Sequence, residues 1–315
     1  MTRKRLHTVL VFFRLFSISF SIALVFTQSL QAAEDLPSPP TVESRKDLLI
    51  REEVVSRTVE AHSYSPSQLM TYRGGPVLHS TKTMAIFWGT EWNTASFAKD
   101  KITGITDFFD GFGGSAYAGV ATEYKDKTGY INAQSTHLGT VIDSTSAPSL
   151  ALTVATAAIE ACKITSNAPD PNAVYFIYTS TKPGAVRYCA WHGAGTCSNG
   201  AKIQVAYMPN VDAFAYRGCQ VSDPTTGHST GLATLANLTA HELVETITDP
   251  RITGWYDIYN QEIGDKCAWV FPSGNGLSTF ANGSQWKLQT LWSNKAYKAG
   301  SGEANLSGQK GCLSQ

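Results

Sequence analysis

A chain of 315 residues, 43% hydrophobic and 16% charged, can bury at least one sizeable core. Its 25 basic and 25 acidic residues balance to zero net charge, and no basic cluster follows the first few residues. Electrostatics therefore gives no support to nucleic-acid or anionic-membrane binding.

The first 33 residues run from a basic start (Arg3, Lys4, Arg5) through an apolar stretch, Leu15 to Phe26, to the small pair Ala32 and Ala33. An acidic, Pro-rich EDLPSPP follows. That order is the pattern of a secretory signal peptide, and a clean run of ~12 residues is too short to span a bilayer. Its removal leaves 21 basic against 25 acidic residues, a net charge of −4. Nothing later approaches a membrane span, so the expectation is a secreted protein, free outside the cell, in a periplasm or in a cell wall. Residues 34–70 are charged, Pro-dotted and poorly periodic, and read as a linker or pro-segment with one short helix. The folded domain is expected over 71–315.

Within it, TMAIFW (83–88) reads as a buried strand, and 94–112 carries helical spacing at Phe97, Ile102, Ile105 and Phe109. A second helix is expected in SLALTVATAAIEACKI (149–164) and a β-branched, aromatic strand in NAVYFIYTS (172–180). A Gly- and Cys-rich connection, 188–200, precedes a strand at KIQVAYM (202–208). A long helix spans 230–248 and stops at Asp249-Pro250; WKLQTLW (286–292) reads as a last strand. Helices interleaved with strands predict a single α/β (or α+β) domain, a mixed sheet flanked by helices. The six cysteines all lie beyond the signal, and an even number in an exported chain predicts up to three disulfides. The pairs suggested are Cys189 with Cys197 and Cys267 with Cys312.

The long helix is apolar around most of its circumference, yet Thr230, Thr234, Asn237, His241, Glu245 and Thr248 recur at steps of three or four as one polar stripe. His241 and Glu245 stand one turn apart, with Cβ atoms ~5–6 Å from each other, the spacing that lets two side chains reach one cation. The motif is H-E-x-x-E, the zinc-peptidase H-E-x-x-H with a carboxylate in the last position. Glu242, rotated by ~100°, is placed to activate a metal-bound water. A third ligand must come from elsewhere: Glu262 first, Asp265 next, with Asp257 or His192 as further candidates. The peptidase-like motif makes zinc the first expectation, although one histidine with two carboxylates accepts calcium or manganese more readily than a two-histidine site does. The competing reading has His241 capping a buried hydrogen-bond network while Glu242 and Glu245 face solvent or pair with Arg251 and Lys266.

Other chemistries find no motif: there is no G-x-S-x-G, no Walker loop and no EF-hand pattern. Trp191, Trp255, Tyr256, Tyr259 and Trp269 could wall a sugar or peptide site, or simply be core.

YRGGPVLHSTKTMAIFWGTEW, ITDFFDGF, TEYKDKTG, VYFIYTS with CAWHG, and NLTAHELVETITDP…GWYD…EIGDKC follow one another over about 72–312. In that order they resemble the Exordium-like, phosphate-induced secreted proteins, here in a form carrying an H-E-x-x-E metallopeptidase-like helix. The resemblance implies a disulfide-bonded α/β protein of the extracellular space or cell wall, and no catalytic mechanism. Two functions are thus expected in competition. One is a secreted metal-dependent, peptidase-like hydrolase acting on a peptide or cell-wall polymer. The other is a non-enzymatic extracellular binding or signalling protein.

Overall fold

Six strands make the main sheet of the computed structural model, which describes residues 44–49, 69–213 and 217–315. They are β1 (Ser44–Leu49), β2 (Thr81–Trp88), β3 (Ser135–Asp143), β4 (Ala173–Thr179), β5 (Tyr188–Thr196) and β6 (Lys202–Met208), in the order β1-β5-β6-β4-β2-β3. The pairs β2–β3, β2–β4 and β4–β6 are parallel, while β5–β6 and β1–β5 are antiparallel. The expected signal peptide and most of the expected linker lie outside the described residues; of the latter, Ser44–Leu49 is the edge strand β1.

Three helices cover the two faces of this sheet: α1 (Lys101–Phe112), α2 (Val154–Ile164) and α3 (Thr230–Thr248). The strand period of two sorts the core. On β4, Val174, Phe176 and Tyr178 join the cluster that contains α1 and α3. Ala173, Tyr175 and Ile177 face the other way, onto Val154, Ala157, Ala158 and Ala161 of α2. β4 is buried at every residue, as expected of a strand covered on both faces. The result is one α/β domain of three layers with a mixed sheet.

α3 is buried from Gly231 to Thr248, which follows from its nearly all-round apolar sequence. Ser229 caps it, its Oγ accepting from the Leu232 N–H at 3.1 Å, and Asp100 in turn accepts from Ser229 N at 2.8 Å. α1 crosses close by because Gly104 has no side chain: a Cβ there would stand 2.3 Å from Leu232 Cδ2. At the far end, Asp249 Oδ1 accepts from Thr253 N at 2.5 Å and Gly254 N at 2.6 Å, turning the chain back toward the helix.

Several expectations need correction. The helix over 94–112 is two helices, Ala95–Ala98 and α1, separated where Lys99 adopts φ 48°. The Gly- and Cys-rich connection is β5, an interior strand whose small residues sit between two covered faces. β3 was not anticipated: as an edge strand it alternates only weakly in burial and carries Gly139. WKLQTLW yields only the two-residue pieces Gln285–Trp286 and Leu291–Trp292; the last strand is Lys310–Leu313.

All six cysteines pair, as Cys162–Cys197, Cys189–Cys219 and Cys267–Cys312. The last was expected; Cys189–Cys197 is wrong. Cys189 is the second residue of the extended strand β5 and Cys197 follows its last, and eight residues of strand span ~26 Å, far beyond a disulfide's reach.

Candidate metal centre

The polar stripe of α3 meets three other pieces of chain. The first is β5: Trp191 points into the α2 cluster, so His192, one residue on, points to the α3 side. The second is the loop after α3, which carries Glu262 and Asp265. This loop is fixed by a buried pair, Lys266 Nζ to Asp257 Oδ2 at 3.0 Å, and by the Cys267–Cys312 bridge. The third is Gln289. Its backbone N–H donates to Asn237 Oδ1 at 2.7 Å, and its Nε2 reaches Gly264 O at 3.1 Å and His241 Nδ1 at 2.8 Å.

Two groups of ligand-type atoms result, each within 4.8 Å: His241, Glu245 and Asp265, and His192, Glu242 and Glu245. In the first, His241 Nε2 is 3.1 Å from Glu245 Oε1 and 3.6 Å from Asp265 Oδ1. In the second, His192 Nδ1 is 3.1 Å from Glu242 Oε2 and 3.5 Å from Glu245 Oε2. Glu262 joins from the other side of the ring, its Oε1 3.9 Å from His192 Nε2. These buried His, Glu and Asp side chains could hold a metal ion.

Burial decides how to read the cluster. His192, His241, Glu242, Glu245 and Glu262 are all 0% exposed, and only the Asp265 side chain, at 21%, reaches toward solvent. Several polar atoms make no well-aligned hydrogen bond: His192 Nε2, His241 Nε2, Glu242 Oε1, Glu245 Oε2 and both oxygens of Glu262, although Glu245 lies 3.1 Å from His241 and Asp249 lies against Glu262. Unpaired buried polar atoms are costly, so these converging side chains must either share protons, as Asp249 and Glu262 do, or be satisfied by a bound cation. The alternative pairing with Arg251 and Lys266 does not occur. Arg251 reaches Gly195 O, Ile203 O and Gln204 Oε1, and Lys266 holds Asp257, which leaves Asp257 a scaffold residue.

The electrostatics agrees. Burial, reinforced by the Glu245 charge, pushes the Glu242 and Glu262 carboxyls well above the ordinary range and Asp265 up to about 7. Burial alone would raise Glu245 too, but the adjacent His241 holds it below its usual value. His241 is raised, because Glu245 more than offsets burial, while burial lowers His192 to about 4. Asp249, beside Glu262, is pushed up to about 6, chiefly by burial. A divalent cation reverses this logic by favouring the ionised carboxylates.

A cation on His241 Nε2 needs the ring proton on Nδ1. Gln289 must then present Oε1 to that proton, a half-turn of its amide that gives up its donation to Gly264 O and its acceptance from Trp269 N. Gln289 and Gly264 were not visible as site residues in sequence, and Asn237 was visible only as a member of the polar stripe. Of the aromatic residues, Trp191 and Trp269 are core, whereas Trp255 and Tyr256 are half-buried and Tyr259 is 38% exposed.

β1 closes the sheet edge beside this centre. Lys46 stands opposite His192 in register, its Nζ donating to Asn260 O at 2.9 Å, and Leu48 is fully buried. No helix among the described residues is long and apolar enough to cross a membrane. No family model, no curated protein and no solved structure matches this chain.

Proposed function

We propose that this chain is a secreted, metal-dependent hydrolase of peptidase-like chemistry. Its cation is held by His241, Glu245 and Asp265. The observation that carries the reading is the fully buried His241 Nε2, which faces two carboxylates at 3.1 and 3.6 Å with no well-aligned hydrogen bond to either, one of them at the single edge of the cluster that reaches solvent. Zinc suits an imidazole with carboxylates, and its Lewis acidity would polarise a carbonyl and acidify a bound water. With that position alone filled, Glu242, whose Oε1 has no partner, accepts the water's proton. Export is supported by three disulfides and by the signal-like first 33 residues. The Exordium-like motifs support the same extracellular or cell-wall setting, with a peptide or wall polymer as substrate. Neither a nucleic acid nor a membrane is a partner in this reading.

Glu242→Gln tests it. The variant is expected to keep its fold and the His241 cation while turnover of a mixed peptide substrate falls at least ~100-fold, the loss typical of a missing general base. Unchanged turnover would sink the hydrolase.

A second reading is favoured by the burial of the cluster beside β1: an extracellular binding protein in which the cation is structural. Substrate then never reaches the metal. Leu48→Asp, which places a charge in a fully buried position of β1, separates the two. Loosening β1 is expected to raise turnover if the strand screens a catalytic cation, and to lower only stability if the cation is structural.

A further inference from the structure

We infer that the centre takes two divalent cations, joined by Glu245 as a bridging carboxylate, with His192 and Glu242 completing the second position. The inference rests on the cation reading above and extends it.

The two oxygens of Glu245 point to different histidines. Oε1 is 3.1 Å from His241 Nε2, and Oε2 is 3.5 Å from His192 Nδ1. The two histidines also fall in separate ligand groups that share only Glu245. Two ligand atoms bound to one cation at 2.0–2.2 Å can be no more than ~4.4 Å apart, so compact groups of this kind each define their own ion. A carboxylate that gives one oxygen to each of two ions holds them at the ~3.5–4 Å separation of two-metal hydrolytic sites.

Each position has its own unsatisfied atom. His241 Nε2 is orphaned in the first, and Glu245 Oε2, also buried and without a hydrogen-bond partner, is aimed into the second. Glu242 Oε1 is orphaned as well, in a residue with no exposed surface. A single ion on His241 leaves those two oxygens as they are. Charge points the same way. Glu242, Glu245, Glu262 and Asp265 each pair with His192 or His241. One divalent ion offsets two of these four carboxylates, whereas two ions offset all four, which is what a buried site requires.

A second ion would change how water is activated: Glu242 would serve as a ligand, and two cations would together lower the pKa of a water enough for its proton to pass to solvent, by way of Asp265 at the one edge that reaches it. Glu262, whose Oε1 lies 3.9 Å from His192 Nε2, would then support the second position from the far side of the imidazole.

The test is stoichiometry on the full chain. Chelator-treated protein is titrated with Mn²⁺ by calorimetry and followed by electron paramagnetic resonance, with Zn²⁺ content read in parallel by elemental analysis. The expected result is two equivalents bound, with a spin-coupled Mn²⁺ pair at saturation. His192→Ala should bind one equivalent and show only an isolated Mn²⁺ signal; Glu242→Gln, which is nearly isosteric, should weaken one of the two ions at least 10-fold and spare the other. Saturation at one uncoupled equivalent in the unaltered protein overturns the second position and leaves the single-cation hydrolase standing. No binding at all overturns both.

Discussion

Gly264→Ala is expected to weaken divalent-cation binding ~10–100-fold with every candidate ligand residue unaltered, the scale seen when the support of a metal ligand is lost. The backbone of Gly264, at φ −80° and ψ −45°, suits alanine, so the conformation itself is no obstacle. Space is. A Cβ at this position would lie 2.7 Å from His241 Nδ1, 2.9 Å from His241 Cε1 and 3.0 Å from Glu245 Oε1. Both side chains are fully buried, so neither can retreat without moving α3 or the loop that carries Asp265. Overpacking of this kind costs ~1–3 kcal/mol of stability, which the folded variant should survive. Gly119→Ala, where a Cβ meets nothing within 4 Å, is the control and should bind cations like the unaltered protein. Calorimetric titration with Zn²⁺ reads the comparison. Undiminished binding in Gly264→Ala would place the cation away from His241 and Glu245.

The second large effect is on stability and pH. In the cation-free protein, Glu242 and Glu262 titrate well above their ordinary values, Asp265 near 7 and Asp249 near 6. The folded state therefore binds protons that the unfolded chain has already released above pH ~4–4.5. Because the unfolded state binds fewer protons, stability falls as pH rises, and the loss is spread over about pH 5–8. His241, raised above its usual value, acts in the same direction. His192, lowered to about 4, and the lowered Glu245 act in the opposite direction, against four raised carboxyls. The chelated protein should accordingly melt at a lower temperature at pH 8 than at pH 5.5.

Added cation should restore the loss where the carboxylates are ionised. At 1,000 times Kd a bound ion contributes ~4 kcal/mol, and at ~2–4 °C per kcal/mol for a domain of this size the melting temperature rises by ~8–16 °C. The rise should be larger at pH 8 than at pH 5.5, since protons compete for the same ligands. A melting temperature flat over this range, and indifferent to Zn²⁺ or Mn²⁺, would mean that these carboxylates are neutralised by other means.

The elements most legible in sequence were those with a strong local signal. α3 matched to the residue because its apolar circumference, polar stripe and Asp-Pro stop all lie within twenty positions. KIQVAYM and TMAIFW were legible as strands for the same reason. β5 was not, because its glycines and cysteines mimic a loop until two covered faces explain them. The disulfide partners of Cys189 and Cys162 depend on which strands and helices become neighbours, which spacing alone does not reveal.

The candidate site divides along the same line. His241, Glu242 and Glu245 are a helix pattern and could be picked from the sequence. His192, 49 residues upstream of His241, could be no more than a candidate, because only the sheet register turns it toward α3. Gln289 and Gly264 matter through contacts made by loops, with no local signature to mark them.

The central claim is that this cluster binds a metal. Elemental analysis of the purified full chain beside a folded His241→Ala/Glu245→Ala double variant tests it most directly. At least one equivalent of zinc, manganese or calcium is expected in the unaltered protein and none in the variant. A metal-free protein that takes up no divalent ion on incubation, with a double variant of equal stability, would contradict it.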